Sequence, residues 1–324
     1  MRKQRTILTL ALILTLLALS GSASTSPLRI GIAQFAVHGS LDNVRDGFIQ
    51  GLAEGGYVRD ENIIIDEQNA QADMGMASAI ASAFVDNRYD LICAIATPMA
   101  VVSANTADGK IPVIYAAVTS PLEAGLAEED GLSTLNVTGT SDQPPIGRQL
   151  ALIRALQPEA TKVGLLYTVG EVNSQVLARQ YRELAPEYGF EIVEATVSAG
   201  SEIPLALPGL VNQADCLSML LDNTVVQYLD LVLDAAEEAG IPVYGSEIEQ
   251  VTKGCAAAAG IDYVALGRQT GLLASRVLSG ESAGSIPYIQ VQDAALYVNP
   301  QVLENLNIAI PEELRSQLLD ASGR

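Results

Sequence analysis

The chain has 324 residues, 38 of them acidic and 18 basic, for a formal charge of −20, with three cysteines, one histidine and no tryptophan. So acidic a chain lacks the basic face that nucleic-acid phosphates need. One histidine and no Cys-x-x-Cys pair leave no transition-metal ligand set.

Residues 1–24 read as a secretory signal peptide. Met1-Arg2-Lys3-Gln4-Arg5 is positive, and Ile7 to Leu19 is apolar but shorter than the roughly 20 residues of a membrane span. Small residues Ser20 to Ser24 follow as a cleavage region. No cysteine follows the apolar run, so a soluble periplasmic or secreted protein is expected rather than a lipid-anchored one. Losing Arg2, Lys3 and Arg5 with the leader takes the formal charge to about −23 and keeps exported copies apart. The roughly 300 residues that remain suffice for two ordinary domains.

The first lobe opens with a buried strand, Leu28 to Ala33, ending at Gln34. Ser40 is placed to cap a helix carrying Leu41, Val44, Phe48, Ile49 and Leu52 at helical spacing, stopped by Gly55-Gly56. Ile63 to Ile65 reads as a strand, Met74 to Val85 as a helix, and Leu91 to Ala96 as a strand. Thr97-Pro98 starts the next helix, where proline suits the first turn. Ile111 to Ala117 is a fourth strand, followed by Val118-Thr119-Ser120-Pro121. The polar, glycine- and proline-bearing stretch Asn136 to Pro145 then reads as the crossover between lobes.

The second lobe repeats the alternation. A helix over Ile146 to Leu156 precedes a strand at Lys162 to Tyr167, a helix from Asn173-Ser174 to Tyr188, and a strand at Glu191 to Thr196. Cys216 to Leu221 is a strand ending in Asp222-Asn223-Thr224, at the head of a helix that runs to Ala239. Pro242 to Tyr244 and Cys255 to Ala259 supply two more strands. Strand, turn and helix repeating about every 30 residues specify an α/β protein of two doubly wound parallel-sheet lobes. Cys93, Cys216 and Cys255 sit in apolar runs as small hydrophobes, with a Cys216–Cys255 bridge open if their strands are neighbours.

Ligands of such sheets bind beyond the carboxyl ends of the strands. Polar residues collect there: Gln34, Thr97, Thr119, Ser141, Asp142, Asn173, Ser174, Asp222, Asn223 and Asp262. Singly, each Ser, Thr, Asn or Asp reads as a helix cap. Together they outline a polar cleft, with helix N-termini suited to a carboxylate and Asp142 or Asp222 suited to an ammonium. Phe35, Tyr167 and Tyr115 are candidates for an aromatic side-chain pocket or for plain core packing. The chain has no P-loop, no G-x-G-x-x-G turn and no G-x-S-x-G elbow. A binder is expected rather than an enzyme, without cofactor or metal.

Several stretches, in order and over nearly the whole mature chain, resemble a known family. They are Ile32-Ala33-Gln34-Phe35 with His38 and Leu41-Asp42; Ala96-Thr97-Pro98; Ala117 to Pro121; Asn136 to Asp142; Tyr167 with Glu171 to Ser174; Asp222 to Val225; and Gly260 to Tyr263 with Leu266-Gly267-Arg268. The chain resembles the substrate-binding proteins of ABC uptake transporters with the type I periplasmic-binding fold, in their tryptophan/tyrosine-type branch. Ser120 departs from the aspartate expected there.

The resemblance implies a three-crossover hinge, with lobe one at 25–140 plus 266–293 and lobe two at 141–265 plus 294–324. It also implies an amino-acid ligand, often aromatic, delivered by a monomer to an ABC permease; Pro98 joins the site residues on this ground. The rival readings are a ligand-sensing subunit for a membrane receptor and a carboxylate-dependent hydrolase.

Overall fold

The computed structural model describes residues 26–291 and 294–321. The leader expected at residues 1–24 lies outside the described residues. Strands β1 (Leu28–Gln34), β2 (Ile63–Asn69), β3 (Leu91–Ile95), β4 (Val113–Ala116), β5 (Val137–Ser141) and β11 (Ile289–Gln290) form one sheet, ordered β11-β5-β4-β3-β1-β2. Every pairing in it is parallel. Its central strands β3, β4 and β5 are buried at every position. Helices cover both faces, which is why these strands read as continuous rather than alternating apolar runs. They are α1 (Gly39–Glu54), α2 (Met74–Asp86), α3 (Thr97–Ala107) and, from far along the chain, α9 (Tyr263–Leu278).

The second sheet runs β7 (Glu191–Val197), β6 (Lys162–Thr168), β8 (Cys216–Ser218), β9 (Val243–Tyr244), again parallel. A parallel bridge between Gly245 and Ala258 carries it on to β10 (Ala257–Gly260). Strand β12 (Ala295–Val298) pairs antiparallel with β10, and β13 (Leu318–Asp320) pairs parallel with β12. Around it lie α4 (Ile146–Leu156), α5 (Val172–Leu184), α6 (Ile203–Val211), α7 (Leu229–Ala239), α8 (Ile248–Lys253), α10 (Pro300–Asn305) and α11 (Glu312–Arg315).

Both sheets place their first strand between their second and third. Successive connections therefore leave in opposite directions and open a crevice at the strands' carboxyl ends. The hydrophobic cores respect the same division. One cluster draws on residues between Ile30 and Val137 and between Ile261 and Ile286. Two others draw on residues between Ile146 and Ala321. The chain passes between sheets after β5, after β10 and after β11.

Helices α1 and α9 meet almost backbone to backbone. A Cβ on Gly47 would lie 2.2 Å from the Val264 carbonyl oxygen, and one on Gly51 2.1 Å from that of Arg268. Gly267 and Gly271 answer from the other side, 2.1 Å and 2.2 Å from the Val44 and Phe48 oxygens. This contact ties α9 to the first sheet although its sequence neighbours build the second. It also fixes Tyr263, at the start of α9, against the cleft.

The structure corrects several readings. Val137–Ser141 is not part of a linker but a buried strand, and only Asp142 to Pro145 connects to α4. Inside the sheet and its helix layer the Thr140 and Thr270 hydroxyls are 2.8 Å apart, and Gly139 exists because a Cβ would strike the Tyr115 oxygen at 2.0 Å. Helix α6 was concealed by Pro204 in its first turn and Pro208 inside it. The stretch Asn173 to Tyr188 splits into α5 and a 3-10 turn at Ala185–Tyr188, and Val225–Tyr228 is likewise 3-10. Cys216 and Cys255 are free and buried. Cys255 lies just before β10, which begins at Ala257 rather than at the cysteine, and β9 lies between β8 and β10; two strand spacings, about 9.6 Å, exceed a disulfide's reach.

Candidate ligand-binding cleft

The loops at the two switch points face one another across a narrow cavity of about 350 Å³, a figure that includes space open to solvent. From the first sheet come His38 and Leu41 after β1, Ala96 and Thr97 after β3, and Ala117 and Thr119 after β4. Asp142, after β5, and Tyr263, opening α9, join them at the crossovers. From the second sheet come Asn173 after β6, Leu220 to Asn223 with Val226 after β8, and Glu247 and Gln250 after β9. Ala96 and Ala117 hold positive φ, 79° and 54°. A side chain there is strained, and such strain collects at functional sites.

Two buried carboxylates organise the second-sheet wall. Asp222 accepts from the Thr168 N–H and hydroxyl, the Ser174 hydroxyl and the N–H groups of Thr224 and Val225, at 2.7–3.0 Å. Glu171 accepts from the Asn173 amide and from the backbone and side chains of Asn223 and Thr224, at 2.7–3.0 Å. Burial, with the Asp222 charge beside it, pushes Glu171 above its ordinary carboxylate value. These acids have their lone pairs filled by protein donors and hold the loop rigid.

Asp142 differs. Its Oδ2 accepts from the Tyr263 hydroxyl at 3.0 Å, while its Oδ1 is buried with no partner among the described residues. Burial raises its pKa to about 6, with Tyr263 and the nearby Thr119 pulling the other way. Asn173 is similar: its amide nitrogen donates to Glu171 and, at 2.6 Å, to the Leu221 carbonyl, but its Oδ1 is buried and unpartnered. Both ring nitrogens of His38 are also buried without partners. Burial holds that imidazole down at about 4, hence neutral, with Asn223 and Asp42 pulling the other way. Burial, then the Glu249 charge, raises Glu247 to about 8, so it is protonated at neutral pH; Gln250 donates to it at 3.2 Å. An unsatisfied buried polar atom costs about 1–3 kcal/mol. A cavity lined with them is built for a polar guest.

An anion has its own place. Helix α3 has no side-chain cap, and Pro98 brings no N–H. Its first-turn N–H groups and dipole point from Ala96 and Thr97 at the cavity, as helix N-termini do in anion sites.

Of the residues expected from sequence, Thr97, Thr119, Asp142, Asn173, Asp222 and Asn223 line the cavity. The others do not line it. Gln34 donates to the Ala36 carbonyl and to Asp42, holding the loop after β1. Ser141 donates to the Thr119 carbonyl, and Ser174 supports Asp222. Pro98 is buried in the first turn of α3. Phe35 and Tyr115 are buried in the first core. Tyr167 packs at the flank of the second core, and Asp262 caps α9 through the Ala265 N–H. Leu41, Leu220, Leu221 and Val226 supply an aliphatic wall, with the Tyr263 ring beside them. Sequence reasoning missed His38, Tyr263, Glu247 and Gln250. His38, as the sole histidine, was the one with a usable signal.

Two doubly wound α/β bodies that face their switch points at one another across a polar-lined cavity define a protein that clasps a small solute. Residues 29–319 match the ABC transporter substrate binding protein family, and the chain belongs to it. It is 40% identical over 279 residues to the tyrosine-binding protein of Clostridioides difficile, covering 86% of this chain and 81% of that one. Among solved structures it is similar to an ABC domain in complex with L-Trp from Streptococcus pneumonia. That match has 31% identity and a TM-score of 0.88, covering 91% of this chain and 99% of that chain. It is also similar to the ligand-free, open structure of a substrate-binding protein with adhesive properties from Clostridium difficile, with 36% identity and a TM-score of 0.69, covering 90% and 98%. Among the described residues no helix is long and apolar enough to cross a membrane.

Proposed function

We propose that this protein captures an aromatic α-amino acid of the tyrosine or tryptophan kind outside the cytoplasm and delivers it, as a monomer, to an ABC permease. The observation that carries the reading is the set of buried, partnerless acceptors, Asp142 Oδ1 and Asn173 Oδ1, in a cavity walled from both sheets. Together they suit an ammonium. The uncapped start of α3, with Thr97 and Thr119, suits the carboxylate. Leu41, Leu220, Leu221 and Val226 take the apolar part of the side chain. The tyrosine-binding and L-Trp-bound relatives support this ligand class.

Binding drives closure in this reading, because only the closed form offers contacts from both sides. Rotation of one lobe on the other lowers a whole-chain superposition without changing the sequence. The open relative superposes less well (0.69) than the L-Trp-bound one (0.88) although its identity is higher, 36% against 31%. That contrast supports a closed form here and a hinge at the three crossovers, dividing 25–140 plus 266–293 from 141–265 plus 294–324.

The test is a thermal-shift screen of the twenty amino acids on protein unfolded and refolded to strip carried-over ligand. A ligand at 100 times its Kd stabilises by about 2.7 kcal/mol, several degrees in Tm. A shift with tyrosine, tryptophan or phenylalanine, and none with aspartate or lysine, is the expected result. No shift with any amino acid overturns the reading.

A further inference from the structure

Among the described residues, the hydrogen bonds that cross the cleft outside the cavity are concentrated on one residue. Glu249 lies on α8, in the second lobe, and does not line the cavity. Its Oε2 accepts from the Ser40 hydroxyl at 3.0 Å and its Oε1 from the Asn43 amide at 2.6 Å, both on the first turns of α1 in the first lobe. Helix α1 has no side-chain cap of its own; its N-cap position is His38. A carboxylate at that end also meets the positive end of the helix dipole. The approach is close: a Cβ on Gly39 would sit 3.2 Å from the Glu249 Cγ. Glu247 and Gln250, either side of Glu249 in sequence, line the cavity. The movement that brings those two to a ligand is therefore the movement that delivers Glu249 to α1. Elsewhere across the cleft, Arg179 of α5 reaches Glu123, in the segment after β4, at 2.5 Å, but both side chains are close to half exposed. Such a surface pair contributes little.

We propose that Glu249 is a latch of the closed state, a positioning residue that sets ligand affinity without touching ligand. The inference rests on closure as read above. A contact made only in the closed form multiplies the affinity of every ligand by one factor, because it acts on the closed fraction. Its loss therefore lowers affinity without changing selectivity, and the loss falls on the dissociation rate.

Calorimetric titration and stopped-flow dissociation with L-tyrosine and L-tryptophan, on wild type, E249A, E249Q and R179A, test this. E249A is expected to weaken both ligands by the same factor, on the order of tenfold or more for two charge-assisted bonds, through faster release. E249Q, which keeps one acceptor oxygen, falls between, and R179A changes affinity by at most about threefold. Unchanged affinity in E249A overturns the latch, and so does a changed ratio between the two ligands, which would put Glu249 against the ligand. Wild type that binds neither amino acid refutes the ligand class alone. In that case, small-angle scattering that finds ligand-free wild type more compact than E249A supports the latch, and identical profiles overturn it.

Discussion

Asp142 makes the sharpest prediction because its two oxygens are treated so differently. One accepts from Tyr263, and the other is buried with no hydrogen-bond partner among the described residues. Burial raises this carboxyl's pKa from 3.8 to about 6, so its charge is costly there, on the order of 3 kcal/mol. A ligand ammonium facing Oδ1 relieves that cost and returns the carboxyl to its ordinary range. The sign follows. Only ionised Asp142 pairs with the ammonium, so affinity is level above about pH 7. It falls by about tenfold per unit as pH drops from 6 toward 4, roughly a hundredfold in all. D142N keeps the shape and an acceptor for Tyr263 but removes the charge. Losing one side of a buried charge pair costs about 2–5 kcal/mol, a weakening of at least thirtyfold. It also flattens the acid limb. Calorimetry at pH 7.5, 6 and 4.5 on both proteins reads all of this. A pH-independent wild-type Kd, or D142N binding as tightly as wild type, refutes the assignment of the ammonium to Asp142.

Four further expectations follow from the same geometry. E247Q binds within about threefold of wild type at pH 7, because a carboxyl raised to about 8 is already neutral there; a loss comparable to that of D142N would show that Glu247 acts as an anion. H38L weakens tyrosine by about tenfold, the value of one hydrogen bond to a buried ring nitrogen, and phenylalanine much less; equal loss for both would place His38 on the ligand's backbone end. D222A, which strands five donors, lowers unfolding free energy by about 3 kcal/mol or more in denaturant melts. G267A costs about 3 kcal/mol as well, since its Cβ would lie 2.1 Å from the Val44 carbonyl oxygen; an unchanged midpoint would show that α1 and α9 can part freely.

The glycines of α1 and α9 show how legibility varied. Gly47 and Gly51, and Gly267 and Gly271, each stand four residues apart, a spacing visible in the chain. Nothing local says that two helices more than two hundred residues apart will use those faces on each other. Val137–Ser141 shows the opposite difficulty: its threonines and glycine look like a turn until pairing with β4 and β11 makes it a strand.

What the sequence determined by itself was what short-range physics dictates. Apolar runs at strand length, alternating with amphipathic stretches, imposed parallel sheets, and parallel sheets placed the site at their carboxyl ends. That is why Thr97, Thr119, Asp142, Asn173, Asp222 and Asn223 could be picked out from position alone. Tertiary structure decided which of the polar residues there keep a vacant atom. Asp222 and Asp142 are alike as letters. One is filled by five donors from three chain segments, while the other keeps a buried oxygen open to the cavity. Vacancy depends on how distant segments meet, and for that reason only the folded chain distinguishes the acid that holds the loop from the acid with an unpartnered oxygen in the cavity.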